Sequence, residues 1–124
     1  MAFGLGNDEF GVDITYLPDG AAEVVLRGEL DLATAPVLQE HLSELVVSQG
    51  WIDITLDIAE LRYLDSTGLS VLIMAQKHVE QIGGSLVVRY PTRAALKLFN
   101  TTGLTARLMG TGRANELIPI KGDR

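Results

Sequence analysis

The chain has 124 residues, no cysteine, and a formal net charge of −6 from 10 basic and 16 acidic side chains. This length predicts one domain, and the lack of cysteine excludes a disulfide framework and a thiolate metal site. The acidic balance opposes non-specific binding to nucleic acid or to an anionic membrane, and the longest apolar runs are too short to span a bilayer. We therefore expect a cytoplasmic protein whose partner is another protein or a small molecule.

A β-hairpin is predicted at the start of the domain. Val12, Ile14 and Tyr16 alternate with polar residues, as in a strand with one buried face. Residues 17–20 (LPDG) supply turn chemistry, and the chain returns as a second strand over residues 23–30. Residues 1–11 are expected to be an N-terminal leader without the basic start and apolar stretch of a signal peptide.

Helices and strands alternate in the rest of the prediction. The elements are a helix over 35–49, a strand over 52–58, a helix over 67–81, a strand over 86–90, a short helix ending at Phe99 and a last strand over 106–109. Such an order needs parallel crossovers, so it predicts an α/β fold with a mixed, mostly parallel sheet and helices packed against it. Residues 110–124, with three glycines and a proline, carry no predicted element.

The segment 61–72, LRYLDSTGLSVL, separates a strand from a helix by an acid, two hydroxyl residues and a glycine: Asp65, Ser66, Thr67 and Gly68. Ser, Thr and Asp are preferred helix N-caps, so ordinary capping is one interpretation. The other is phosphorylation. The first N–H groups of a helix lack intrahelical partners and the helix dipole is positive there, which suits an added phosphoryl group.

Two further features are expected near this loop. Asp31 follows the second strand, and in parallel sheets the carboxyl ends of strands lie along one rim, so Asp31 is predicted to be near Ser66. On the following helix, Val71, Met74 and Ala75 point partly away from the face that covers the sheet. This extra apolar face indicates either a docking surface or contact with another helix.

An enzymatic role has little support in the sequence. A serine hydrolase elbow needs glycine two positions before and two positions after the serine. Here Gly68 occupies the second of these positions, but Leu64 occupies the first. The possible general bases, His41 and His78, fall within amphipathic helices, where solvated histidines are common. We predict no catalytic residue.

No metal or cofactor site is predicted either. Asp53 and Asp57 share a strand, and Asp65 is a loop or cap residue. With no histidine or second loop carboxylate close in sequence, each acid is interpreted as a strand-end, solvated or capping group.

Several short stretches carry a resemblance to a known family. They are residues 26–31 (LRGELD) with Thr34 and Ala35, residues 56–58 (LDI) with Leu61, residues 65–69 (DSTGL), Gly83 and Gly84 before Leu86, Leu98 and Phe99, and residues 102–104 (TGL). In this order and spacing the chain resembles the bacterial anti-sigma factor antagonists, single-domain members of the STAS fold. The resemblance covers residues 12–109, the expected STAS domain.

The resemblance implies a partner switch. An unphosphorylated antagonist binds an anti-sigma factor of the serine/threonine kinase type and so frees a sigma factor; the kinase phosphorylates the serine after the motif aspartate, here Ser66, and a serine/threonine phosphatase resets it. Asp31 corresponds to the aspartate that aids kinase recognition, and Thr67 is a second hydroxyl position. With the apolar face of the second helix, the expected partner-binding residues are Asp31, Asp65, Ser66, Thr67, Gly68, Leu69, Val71 and Met74. The expected state is a monomer or weak dimer.

Two other functions of the fold remain alternatives. One is an accessory subunit that docks on a transporter ATPase, and the other is a scaffold antagonist in a stress-signalling assembly. Family members often end in a longer C-terminal helix, whereas residues 110–124 have little helical periodicity. This departure concerns the last element and not the loop around Ser66.

Overall fold

One four-stranded sheet organises the protein, whose computed structural model describes residues 10–110. The strands, in sheet order, are β1 (Gly11–Tyr16), β2 (Ala22–Leu30), β3 (Asp53–Leu64) and β4 (Ser85–Arg89). β1 is antiparallel to β2, and the other two pairs are parallel. This confirms the predicted mixed, mostly parallel sheet with an N-terminal hairpin.

In the described part of the chain, two α-helices connect the parallel strands and two more follow the last strand. They are α1 (Ala35–Ser43), α2 (Ser66–Gln81), α3 (Arg93–Thr102) and α4 (Thr105–Met109). α1 continues as a π-helical segment over Glu44–Ser48, which together with α1 accounts for the predicted helix over 35–49. No helix within residues 10–110 is both long enough and apolar enough to cross a membrane.

The predicted last strand over 106–109 is wrong, because this segment forms α4. The Leu108 N–H donates to the Leu104 carbonyl oxygen at 2.9 Å, and Leu108 is fully buried. Residues four apart lie on one face of a helix, so Leu104 and Leu108 both pack against the core. Four residues are too few to distinguish a helical period from a strand period, and tertiary packing decides between them.

β3 extends six residues beyond its predicted end at residue 58. The extra residues pair with the end of β2, where Gly28 is opposite Leu61 and Leu30 is opposite Leu64. Register shifts lie between Val25 and Arg27 and again at Gly28, which has a φ of +93°. The irregular pairing changes which residues of β3 face the core. The alternation of apolar and polar residues in the sequence therefore ends before the strand ends.

The core lies between one face of the sheet and the helices. Its fully buried members include Leu26 and Leu56 from the sheet, Leu72 from α2 and Phe99 from α3. Gln76, which the sequence did not mark as a core residue, is buried on α2 and donates from Nε2 to the carbonyl oxygens of Leu86 and Arg107, at 2.9 and 2.7 Å. α2 is therefore joined to both β4 and α4. Most of the predicted leader and C-terminal segment, residues 1–9 and 111–124, lies outside the described residues.

Candidate functional site

The carboxyl ends of β2 and β3 bring two loops together at one rim of the sheet. Leu30 and Leu64 are paired at the ends of these strands, and the Asp65 N–H donates to the Leu30 carbonyl oxygen at 3.4 Å. The loop that begins at Asp31 and the start of α2 therefore lie side by side. This is the juxtaposition that the order of strands predicted for Asp31 and Ser66.

The first turn of α2 has a side-chain cap and an exposed serine. Asp65 is the N-cap residue in an extended conformation, and its Oδ1 accepts a hydrogen bond of 3.0 Å from the Gly68 N–H. Ser66 is the first helical residue and is exposed, whereas Thr67 is half-buried. The capping interpretation is confirmed. The N–H groups of Ser66 and Thr67 belong to the set that has no partner within a helix, so they point outward beside the serine hydroxyl.

Gly68 allows α2 to approach the end of β2 closely. A Cβ atom at this position would lie 2.8 Å from the Leu30 carbonyl oxygen, from Leu30 Cγ and from Leu64 Cδ1. Any side chain here would push the helix away from the strand ends. Leu69 is also buried. These two predicted partner-binding residues therefore position α2, and neither offers side-chain surface to a partner.

The loop after β2 is closed by a compact set of hydrogen bonds around Asp31. Its Oδ1 accepts from the backbone N–H groups of Ala33 and Thr34, at 3.0 and 3.1 Å. The Thr34 hydroxyl accepts from the Asp31 N–H at 2.9 Å and lies 2.7 Å from the Glu29 carbonyl oxygen, to which it donates. Thr34 is the N-cap residue of α1, but its hydroxyl bonds to this loop and makes no side-chain cap bond to the helix.

Both loops at this rim carry an acidic residue. Asp65 directly precedes Ser66, and Asp31 lies in the neighbouring loop; both acids are half-buried. Glu29, near the end of β2, is paired with Arg62 at 3.6 Å, with about half of each side chain exposed. A further anion at Ser66 would meet repulsion from the carboxylates and attraction from the helix N-terminus.

The outward side of α2 forms an apolar groove with α1. The groove has a volume of about 270 Å³, and its apolar lining includes Leu42, Val46, Val71, Ala75 and Val79. Met74 also lines it and has 60% of its surface exposed. Contact with another helix is confirmed for Val71 and Ala75, which face α1 across the groove. Met74 is exposed, and the docking surface stays a prediction.

The geometry gives no support to a serine hydrolase. His78 is twelve residues beyond Ser66 on the same helix, which is about 18 Å along its axis. His41 lies on α1, with Nδ1 2.9 Å from the Val37 carbonyl oxygen. His78 is therefore too far away to take a proton from the Ser66 hydroxyl, and the ring contact that His41 makes is to its own helix.

The three acids considered as metal ligands make separate local contacts. Asp53 Oδ1 accepts from the Ser85 hydroxyl at 3.2 Å, and Asp57 Oδ1 accepts from the Ala59 N–H at 2.9 Å. Asp65 caps α2. Across residues 10–110, no group of three His, Asp or Glu side chains is arranged to hold a metal ion.

The structure adds one residue at the rim that the sequence reasoning missed. Leu32, between Asp31 and Ala33, has 75% of its surface exposed. The sequence does show a large apolar residue inside a predicted loop. It does not show whether that residue is buried or exposed, because this depends on how the loop folds.

Comparison with known families and proteins agrees with this architecture. A family model described as "Mlab, STAS domain" matches residues 15–111. The chain is 39% identical over 82 residues to an anti-sigma-B factor antagonist of Bacillus subtilis, covering 66% of this chain and 73% of the relative. It is 36% identical over 83 residues to an anti-sigma-B factor antagonist of Listeria monocytogenes, covering 67% and 72%.

Solved structures show the same fold at lower sequence identity. The unphosphorylated form of the anti-sigma factor antagonist SpoIIAA superposes with a TM-score of 0.70 at 17% identity, over 87% of this chain and 99% of that one. The phosphorylated form of Bacillus SpoIIAA gives 0.65 at 19% identity, over 80% and 88%. An anti-sigma factor antagonist from Mycobacterium paratuberculosis gives 0.70 at 24% identity, over 82% and 84%.

Proposed function

The chain belongs to the STAS domain family, and we propose that it is an anti-sigma factor antagonist controlled by phosphorylation of Ser66. In this proposal the unphosphorylated protein binds an anti-sigma factor in the cytoplasm and so frees a sigma factor for transcription. One observation carries it: Ser66 is an exposed hydroxyl at the start of a capped helix, beside the Asp31 loop. Two relatives above 35% identity bear the antagonist name, and SpoIIAA is described in both phosphorylation states.

The first turn of α2 can carry a phosphate without unfolding. Phosphorylation adds about −1.5 to −2 charges, which the N–H groups of the first turn and the positive end of the helix dipole stabilise. Asp65 already satisfies the Gly68 N–H, so the helix start does not depend on the new group. The fold is therefore expected to be the same in both states.

The same phosphate opposes binding of a partner at this rim. It would place a hydrated anion between the two loops, close to the carboxylates of Asp65 and Asp31. A partner surface that fits a serine hydroxyl would have to accept this charge or lose contact. Since about 1.4 kcal/mol changes affinity tenfold, losing a few kcal/mol lowers it a hundredfold or more.

The proposed partner surface combines a polar rim with an apolar helix face. Asp31, Asp65, Ser66 and the half-buried Thr67 form the rim. Met74 and the accessible part of Val71 form the apolar part, eight and five residues beyond Ser66 along α2. Gly68 and Leu69 support this surface from below.

The proposed regulators follow from the same surface. The anti-sigma factor would be of the serine/threonine kinase type, and it would phosphorylate the hydroxyl that it contacts. Asp31 would help the kinase recognise Ser66, and a serine/threonine phosphatase would restore binding. The protein itself would have no catalytic role.

Affinity capture with three forms of the protein tests the proposal. Wild type and Ser66→Ala should recover a kinase-type anti-sigma factor, and Ser66→Asp should recover much less of it. Wild type incubated with this factor and ATP should gain one phosphate on the peptide that contains Ser66, whereas Ser66→Ala should gain none. Recovery of a transporter ATPase instead, or undiminished phosphate incorporation in Ser66→Ala, would contradict the proposal.

A further inference from the structure

Leu32 is exposed to an unusual degree for a leucine. It has 75% of its surface accessible, against 68% for Val47 and 60% for Met74, the next most exposed large hydrophobic residues of the described chain. Exposed apolar side chains that occur singly are common and need no special explanation. Leu32 differs because of the loop that holds it and the residues that surround it.

The loop presents Leu32 in a defined conformation. The residues on both sides are tied down: Asp31 accepts from Ala33 and Thr34, and the Thr34 hydroxyl accepts from the Asp31 N–H and donates to Glu29. Leu32 is thereby held toward solvent while its backbone is fixed. A loop whose backbone is ordered before binding loses less conformational entropy when a partner covers it.

The residues after Leu32 extend the exposed apolar surface. Ala33, Pro36 and Val37 are all exposed, Val37 with 40% of its surface accessible. We call Leu32, Ala33, Pro36 and Val37 the apolar shoulder. Residues 32–38 contain no charged side chain, although the whole chain carries a net charge of −6. The chemistry of the shoulder therefore fits an uncharged, apolar pocket.

The apolar shoulder follows directly after Asp31, in the loop that lies beside Ser66. A 3.4 Å hydrogen bond from the Asp65 N–H to the Leu30 carbonyl oxygen joins the two loops. Asp65 is one residue before Ser66, and Leu30 is two residues before Leu32. Backbone bond lengths then limit the distance between the Cα atoms of Leu32 and Ser66 to about 16 Å. A standard protein interface buries about 800 Å² on each partner, a patch roughly 30 Å across. One interface of this size is wide enough to include both Ser66 and Leu32.

We propose that Leu32 inserts into an apolar pocket of the same anti-sigma factor whose binding Ser66 controls, and that this contact helps determine which anti-sigma factor is bound. The inference rests on the proposed function, since it assigns a further contact to the same interface. Leu32 is the uncharged neighbour of Asp31 at this rim, so its contact supplies affinity by burying apolar surface and not through the phosphate. The occupant of the pocket is an aliphatic side chain on a rigid loop.

Titration calorimetry with purified components tests this role. The probe is the purified anti-sigma factor identified by capture with Ser66→Ala. Leu32→Ser should bind it at least tenfold more weakly than wild type, while Leu32→Met, which keeps an apolar side chain of similar volume, should stay within about threefold. Val47→Ser is the matched control. Val47 is similarly exposed but lies two residues from Gln49, whose side chain contacts Tyr16 at the opposite end of β2.

The arms of the experiment separate the two proposals. If wild type and Ser66→Ala bind no anti-sigma factor, the proposed function fails and the inference fails with it. If Ser66→Asp weakens binding while Leu32→Ser binds as wild type does, the inference alone is wrong. Light scattering gives a further contrary outcome: a wild-type dimer that Leu32→Ser dissociates would assign the shoulder to self-association. Because Leu32 is exposed, circular dichroism should show wild-type folding in all of these variants.

Discussion

The Asp65 N–H and the Leu30 carbonyl oxygen are joined by a hydrogen bond of 3.4 Å, which links the start of α2 to the end of β2. These residues are far apart in sequence but paired strands bring them to one rim. The bond places the helix that starts with Ser66 beside the loop that carries Asp31 and Leu32. The two loops therefore form one continuous surface at the rim of the sheet.

Removing the cap of α2 should lower stability through a single lost side-chain acceptor. Asp65→Ala leaves the Gly68 N–H without its partner, and we expect a loss of about 1 kcal/mol in the free energy of unfolding, measured by urea denaturation. Asp65→Asn is the matched control, because asparagine caps helices about as well without the charge. If both variants lose the same free energy of unfolding, Asp65 stabilises the protein through its charge and not through its cap.

Gly68→Ala should destabilise the protein even though alanine is the better helix former. The new Cβ would lie 2.8 Å from two atoms of Leu30 and from Leu64 Cδ1, and such overpacking typically costs about 1–3 kcal/mol. Ser70→Ala, at an exposed position of the same helix, should be neutral or slightly stabilising. Thermal denaturation compares the melting temperatures of the two variants with that of wild type. A melting temperature of Gly68→Ala at or above that of wild type would contradict the close packing described here.

The Thr34 hydroxyl should be needed for the conformation of the Asp31 loop. Thr34→Val keeps the shape of the side chain but removes the acceptor of the Asp31 N–H and the donor to Glu29, so we expect a loss of about 1–3 kcal/mol in urea denaturation. Thr34→Ser retains the hydroxyl and should lose less. Hydrogen exchange of the Asp31 amide should quicken in the valine variant alone. Unchanged exchange there would mean that the hydroxyl does not hold the loop.

A negative charge at Ser66 should separate binding from stability. Ser66→Asp places an acid in the first turn of α2, where it interacts favourably with the helix dipole, so stability should change by less than about 1 kcal/mol. Gln81→Asp, at the last residue of the same helix, should destabilise because the dipole has the opposite sign there. Thermal denaturation should thus rank Ser66→Asp above Gln81→Asp. A large loss of stability in Ser66→Asp would mean that weaker partner binding reflects unfolding.

Much of the fold was predictable because its signals are local. Alternation in β1 and the turn at residues 17–20 identified the hairpin, and the helix start around Asp65 followed from the preference of Asp, Ser and Thr for the first positions of a helix. Capping and periodicity act between residues a few positions apart. The sequence alone could therefore place Ser66 at a helix N-terminus and in the order of motifs typical of its family.

Other features depend on contacts between residues distant in sequence. The length of β3 follows from its irregular pairing with β2, and α4 is helical because Leu104 and Leu108 both reach the core. Only the tertiary structure shows that Gly68 must lack a side chain, or that the Asp31 loop holds Leu32 toward solvent. The sequence by itself determined that Ser66, the proposed phosphate acceptor, follows a capping aspartate at the start of a helix. The packing of α2 against the end of β2 decided which surface lies beside that residue, since this depends on register and close approach that no local pattern encodes.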